Sequence, residues 1–278
     1  MSVETANLES KSNKEIKAGA LISYLVIIVQ VLVTLLFTPW LSRYLGTSNY
    51  GLYTLGTSLA GVFMLDFGLS AATSKFLSEY RAKNEKEKES GFLGLTLKLY
   101  LIIDCLAFVV ALVLFFFLEF VYKGLTSDEY QTFRYVYIVV CSYSFFSIPF
   151  LSVNGVFTAN ESFVFLKMST LVQRLLSVVL ISLAIIFKAD VIIIMLMHTG
   201  SSLLITIFKI WYLLRRKKIL INFRYWDVSL LKTLFSFTVW IAIITIAQRI
   251  TITLVPQVLG MVSDTKEVAV YGFASQLE

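Results

Sequence analysis

At 278 residues the chain is 58% hydrophobic, 15% charged and has a mean hydropathy of +0.80, which excludes an ordinary soluble domain and points to an integral membrane protein. Apolar segments of spanning length recur from one end to the other, so a single secretory signal does not explain them, and no cleavable leader is evident. The net charge of +6 sits in short connections between those segments, which is the distribution of orientation signals and not of a nucleic-acid surface.

In chain order, residues 1–17 are polar, and "SNKE" (Ser12 to Glu15) has the spacing of a capping box that would start a helix. Apolar segments follow at 18–41, 51–74, 92–118, 132–156, 168–187, 190–213 and 233–258, each close to the roughly 20 residues that cross a bilayer. An eighth begins at Val268, where "VAVYGFASQLE" stops at Glu278, and a truncated chain is the expectation. Backbone groups in hydrocarbon must be satisfied internally, and the segments are too long and uniformly apolar for barrel strands. The fold class is therefore all-α: a polytopic transmembrane helical bundle of about seven full spans plus the start of an eighth.

Connections with Lys11, Lys14, Lys17, Lys75, Arg81, Lys83, Lys86, Lys88, Lys167, Arg215, Arg216, Lys217, Lys218, Arg224 and Lys232 alternate with connections holding Arg43, Lys123, Lys188 and Lys266. Fifteen basic residues against four place the N-terminus in the cytoplasm. The run "RAKNEKEKES" alternates in sign as a solvated helical extension does, and "RRKK" reads as an orientation anchor that also suits anionic lipid headgroups.

Chemistry-bearing motifs are sparse. There is no phosphate-cradling glycine loop, no CxxC and no HExxH; no cofactor is expected. Cys105 and Cys141 lie in apolar runs and receive no chemistry, His198 reads as a packing or hydrogen-bonded residue, and the sequon at Asn160 falls in an expected cytoplasmic loop. The loops offer no convergent carboxylates or histidine–acid pair, so catalysis is unsupported.

Intramembrane polar residues carry the remaining information. At 100° per residue, Thr238, Thr245, Gln248, Arg249 and Pro256 fall within about 100° of arc on the seventh segment. Thr170, Gln173, Arg174 and Ser177 share a face of the fifth, and Ser23, Gln30, Thr34 and Thr38 form a stripe on the first. An arginine near mid-span costs roughly 2.5–3.5 kcal/mol by insertion scales, so such residues are expected to face a hydrated interior. Lys98 and Arg134 are close enough to segment ends to snorkel, Asp104 is deep enough to need a partner, and Asp66 in segment two either joins the site or pairs with a neighbouring arginine. Guanidinium forks suit phosphate oxygens, while Thr and Gln suit hydroxyl-rich sugars. Gly56, Ala60 and Gly61 would allow close, sliding helix contacts, Pro39 and Pro256 are places where helices would bend, and Pro149 sits in segment four.

"NKEIKAGALISYL" leading into "FTPWLSRYLGTSNYGLYTL", then "LDFGLSAATSKFLSEYRAK", resembles the first two spans of polysaccharide biosynthesis flippases, the Wzx-type O-antigen and teichuronic acid exporters of the multidrug/oligosaccharidyl-lipid/polysaccharide exporter superfamily. "VYGFASQLE" is similar to the start of their eighth span. The resemblance runs from about Lys14 onward and rests on the ordered combination of these motifs. It implies two six-helix lobes that move undecaprenyl-pyrophosphate-linked oligosaccharides from the cytoplasmic to the periplasmic leaflet of the bacterial inner membrane. On that reading residues 1–17 are a cytoplasmic tail, 18–213 the first lobe, 214–232 the inter-lobe connection, and 233–278 an incomplete second lobe.

The expected substrate site is Arg174, Arg249, Gln173, Gln248, Arg43 and Asp66, with no catalytic or metal residues. The resemblance places Arg43 and Tyr44 in "RYLG" and Asp66 in "LDFG" at family-typical positions. Expected partners are the lipid-linked oligosaccharide, membrane lipids, and the glycan polymerase and glycosyltransferases of the pathway. A multidrug exporter, which would want acidic cavity residues, and a membrane-embedded polymerase or ligase are the alternatives.

Overall fold

A computed structural model describes residues 21–217 and 221–275, and its elements there are helices. The expected capping box at Ser12–Glu15, the N-terminal lysines and the end of the eighth segment lie outside the described residues. Among the described residues, six helical stretches are long and apolar enough to cross a membrane. In chain order the helices are α1 (Leu21–Phe63), α2 (Leu69–Ala82), α3 (Lys86–Val121), α4 (Ser127–Ser147), α5 (Val153–Ala159), α6 (Phe163–Ile186), α7 (Val191–Tyr212), α8 (Val228–Arg249), α9 (Val255–Val262) and α10 (Thr265–Ala274).

Helix α1 is two spans. Gly46 interrupts it with φ +73° and ψ 167°, a region in which only glycine is at ease, and residues on either side line one cavity, so the chain reverses there. Split at Gly46, the described residues supply seven long apolar helical stretches, in agreement with the expected helical class.

Each of the three prolines marks an irregularity, because proline lacks the N–H and collides with the carbonyl a turn earlier. Wide turns at Val33–Phe37 and Ile250–Leu254 precede Pro39 and Pro256, and a tight turn at Ile148–Phe150 contains Pro149.

The second expected segment, 51–74, is not one helix. It breaks after Phe63, and Asp66 sits in the break, where its carboxylate accepts from Gly68 N (2.6 Å) and Ser70 N (3.3 Å) at the start of α2. A carboxylate at a helix N-terminus satisfies otherwise orphaned N–H groups, and the left-handed Gly68 (φ +80°) completes the turn. Asp66 thus pairs with backbone and not with an arginine. The fourth segment breaks in the same way at Pro149, and the two breaks cross. Ser70 Oγ donates to Leu151 O (2.8 Å), and a Cβ at Gly155 would stand 2.2 Å from Ser70 O.

Polar ends are capped by short side chains, as helix N-termini require. Asp190, Asp227 and Asp264 accept from the first turns of α7, α8 and α10, and Thr126 with Glu129 forms a capping box on α4. Asp227 starts α8 at Val228, ahead of the expected 233. Hydrogen bonds and close contacts place Tyr44, Ser48, Gly124, Glu129, Ala189, Ser263 and Thr265 at one end of the bundle, here the distal end. Ser90, Lys98, Asn222 and Tyr225 meet at the opposite, proximal end. The "RAKNEKEKES" run turns between α2 and α3 there; Arg81–Glu89 and Lys88–Glu85 pair within it, and Lys83 pairs with Glu79 of the preceding turn.

Two apolar cores hold the helices together. One joins Leu52 and Leu55 of α1 to Phe133 and Val136 of α4, Ile181 of α6, Ile194 of α7 and Val268 of α10. The other joins Leu69 and Leu77 of α2 to Phe92 and Tyr100 of α3, Phe157 of α5 and Leu234 of α8. Phe116, Phe120, Ile186 and Trp240 project outward, as residues that meet lipid do.

Candidate functional site

Two adjoining cavities lie between α1, α6 and α7. The smaller, about 220 Å³, is lined by Gln30 of α1, by Thr170, Gln173, Arg174 and Ser177 of α6, and by His198 and Ser202 of α7. The larger, about 390 Å³, adds Thr34, Tyr50, Tyr53 and Thr57 of α1 and reaches Ile252 and Ser275. Gln30, Arg174, Ser177 and His198 belong to both walls.

Helical spacing makes this surface. Residues 170, 173, 174 and 177 are i, i+3, i+4 and i+7 neighbours on α6, residues 198 and 202 are i, i+4 neighbours on α7, and 50, 53 and 57 repeat the pattern on the second limb of α1. Cross-helix hydrogen bonds then fix the side chains. Gln173 Nε2 donates to Ser202 Oγ at 2.8 Å. Tyr53 Oη and His198 Nδ1 are 2.9 Å apart, and their rings meet edge to face with centroids 5.7 Å apart. The phenol and the imidazole thereby set each other's proton positions.

Arg174 is the charge in this environment. Among the described residues no aspartate or glutamate lines either cavity and no ion pair involves Arg174. Its Nε is buried without a hydrogen-bond partner. A guanidinium held in a polar pocket, with its Nε unused and no ion pair among the described residues, presents the fork that matches phosphate or carboxylate oxygens.

The other expected site residues lie elsewhere. Gln248 and Arg249 are exposed on α8 and line neither cavity, Arg43 is exposed beside the Gly46 reversal, and Asp66 caps α2. Tyr44, next to Arg43, donates to Ala189 O at 2.9 Å and ties α1 to the start of α7. Lys98 reaches out of its helix to donate to Tyr225 O (3.0 Å) and lies over the Trp226 ring, while Arg134 lies over Phe115. Asp104 is 3% exposed with Oδ1 unpartnered, beside an equally unpartnered Ser144 Oγ.

Sequence reasoning missed Tyr53 and Thr57, whereas His198, read as a packing or hydrogen-bonded residue, makes such a bond with Tyr53 and also lines both cavities. The available signal was the polar i, i+3, i+7 pattern of Tyr50, Tyr53 and Thr57 in an otherwise apolar run.

Comparison with known proteins bears on what such a cavity serves. The family model described as "Polysaccharide biosynthesis protein" matches residues 16–278. Searches of curated proteins and of solved structures returned no match. With the match spanning nearly the whole sequence of a helical membrane protein, the chain belongs to the polysaccharide biosynthesis protein family.

Proposed function

We propose that the chain is a flippase that moves undecaprenyl-pyrophosphate-linked oligosaccharide units from the cytoplasmic to the periplasmic leaflet of a bacterial inner membrane, with its N-terminus in the cytoplasm. The observation that carries this reading is Arg174, a cation with no ion pair among the described residues, on the wall of a polar intramembrane cavity. A cavity of about 390 Å³ falls within the ~300–1,000 Å³ of small-ligand sites, enough for a pyrophosphate headgroup and its first sugar. A longer glycan requires the helices to part, which is what alternating access supplies. The polyprenyl tail stays in lipid.

Arg174 would take the phosphate oxygens, and Gln30, Thr34, Thr57, Gln173 and Ser177 would exchange hydrogen bonds with sugar hydroxyls. Arg249, Gln248, Arg43 and Asp66 lie outside the cavity in this conformation and receive no first contact with the headgroup. A multidrug exporter for cationic compounds fits less well, because among the described residues the cavity is lined by a cation and by no acid. The reading is of a transporter and not of a polymerase or ligase. The polymerase and glycosyltransferases of the same pathway would be its neighbours in the membrane.

The test is Arg174→Ala in cells that depend on the gene for surface polysaccharide. The expected result is loss of surface polysaccharide with unchanged membrane insertion and abundance, while Arg249→Ala has the smaller effect. Full surface polysaccharide in Arg174→Ala cells would overturn the site.

A further inference from the structure

At the distal end the second limb of α1 is fastened to α4, α9 and α10 by polar bonds set in a seam of glycines. Glu129 is the hub. Its Oε2 accepts from Thr126 N (2.9 Å) and Thr126 Oγ1 (2.9 Å) in the capping box, which fixes the carboxylate on the first turn of α4. Its Oε1 then accepts from Ser48 Oγ, at the start of the second limb of α1, and from Thr265 Oγ1, at the start of α10, each at 2.5 Å. One carboxylate therefore joins three helix starts.

A second layer lies deeper. Gln257 of α9, 5% exposed, donates through Nε2 to Leu55 O (2.9 Å) and Ser58 Oγ (2.6 Å) of α1 and accepts from the hydroxyl of Tyr122. Between and beside these bonds the backbones nearly touch. A Cβ at Gly51 would stand 2.1 Å from Thr265 O, one at Gly124 1.5 Å from Ser263 O, and one at Gly260 2.6 Å from Leu55 Cδ2.

Both layers tie the second limb of α1, whose Tyr50 lines the larger cavity next to Gly51, to α9 and α10, whose flanking residues Ile252 and Ser275 line that cavity as well. We propose that the Glu129 clasp and the Gln257 layer together form the distal gate of that cavity, closed in this structure and opened when α9 and α10 separate from α1. The seam suits a reversible gate. Interhelical hydrogen bonds within membranes are individually modest, averaging about 0.6 kcal/mol, and water entering the opened cleft can replace each of them. The glycine seam lets the surfaces close without interlocking side chains. No Lys or Arg pairs with Glu129 among the described residues, so the interhelical bonds of the clasp come from the Ser48 and Thr265 hydroxyls.

The gate takes from the proposed function only that the cavity opens to both membrane faces, with the distal end facing outward. Its test uses no substrate, so failure here leaves the substrate reading standing. Cys105 and Cys141 are first replaced by serine, and Ser177→Cys supplies a reporter on the cavity wall. Labelling by a membrane-impermeant thiol reagent is followed on intact cells. Glu129→Ala is expected to label at least about tenfold faster than the parent, the factor that corresponds to about 1.4 kcal/mol of gate closure. Glu129→Gln, which keeps one acceptor oxygen at the clasp, is expected to fall between them.

A second arm leaves Glu129 in place. Ser48→Cys with Thr265→Cys, carried with the reporter, is blocked by impermeant reagent on the outside when reduced and is bridged when oxidised. Oxidation is expected to suppress reporter labelling, read in samples in which the bridge is verified by mass spectrometry, and reduction to restore it. Equal labelling of parent and Glu129→Ala, or reporter labelling unaffected by the bridge, would overturn the gate. If Glu129→Ala fails to fold, the bridged pair decides alone.

Discussion

Tyr53 Oη lies 2.9 Å from His198 Nδ1, joining the second limb of α1 to α7 across the cavity that Arg174 enters. The bond fixes the imidazole proton on the side set by the phenol, so the other ring nitrogen presents a defined face to a guest. Tyr53→Phe is expected to keep the ring packing and lose the bond, leaving a half-buried nitrogen unpaired at a cost of about 1–3 kcal/mol. Surface polysaccharide should fall while abundance holds, as measured by glycan staining against immunoblot. Unchanged staining would confine the pair to packing.

Asp104 is buried in α3 with Oδ1 unpartnered, in contact with a small void that it shares with Ser144 and Cys141. An unsatisfied buried polar atom costs about 1–3 kcal/mol. Asp104→Asn, similar in shape and never charged, should leave the unfolding temperature in detergent equal or higher. A marked fall would reveal a partner for the carboxylate.

The strap of residues 221–227 between α7 and α8 is seated on α3. Asn222 N donates to Ser90 O (3.0 Å), Lys98 holds Tyr225 O, and a Cβ at Gly94 would stand 2.0 Å from Asn222 O. Backbone cannot yield as a flexible side chain can, so Gly94→Ala should lift the strap. Limited proteolysis should cut between α7 and α8 several-fold faster in this variant than in the parent, and Lys98→Met should act in the same direction. Equal cutting rates in Gly94→Ala would contradict the seating.

Gly46 occupies a backbone region that is essentially restricted to glycine, although no atom lies within 4 Å of a Cβ built there. Gly46→Ala therefore meets strain without collision, about 1–3 kcal/mol. A lowered unfolding temperature in detergent is expected. An unchanged one would mean that the reversal relaxes at no cost.

The helical class was legible because hydropathy over about 20 residues is a local property, and the Arg174 face was legible because 170, 173, 174 and 177 are close along a single helix. The break at Asp66 was not, since "LDFG" is apolar apart from one residue and a hydropathy window passes over the turn made by Gly68. Tyr53 and His198 are 145 residues apart, and no periodicity joins them. For Arg249, a shared stripe told which residues face alike on α8 and nothing about what covers that face. The wide turn at Ile250–Leu254 also shifts the phase that a regular helix assumes. Glu129 reads locally as a capping-box residue, which it is. Its second oxygen finds Ser48 and Thr265 only after folding.

The most direct test of the account is the affinity of the purified chain for a polyprenyl pyrophosphate, measured by native mass spectrometry or fluorescence titration in detergent. A charge-assisted bond contributes about 1.5–3 kcal/mol, so Arg174→Gln should weaken binding about tenfold or more, Arg174→Lys less, and Arg249→Gln little. Equal affinities for the parent and Arg174→Gln would contradict a cavity built around that guanidinium.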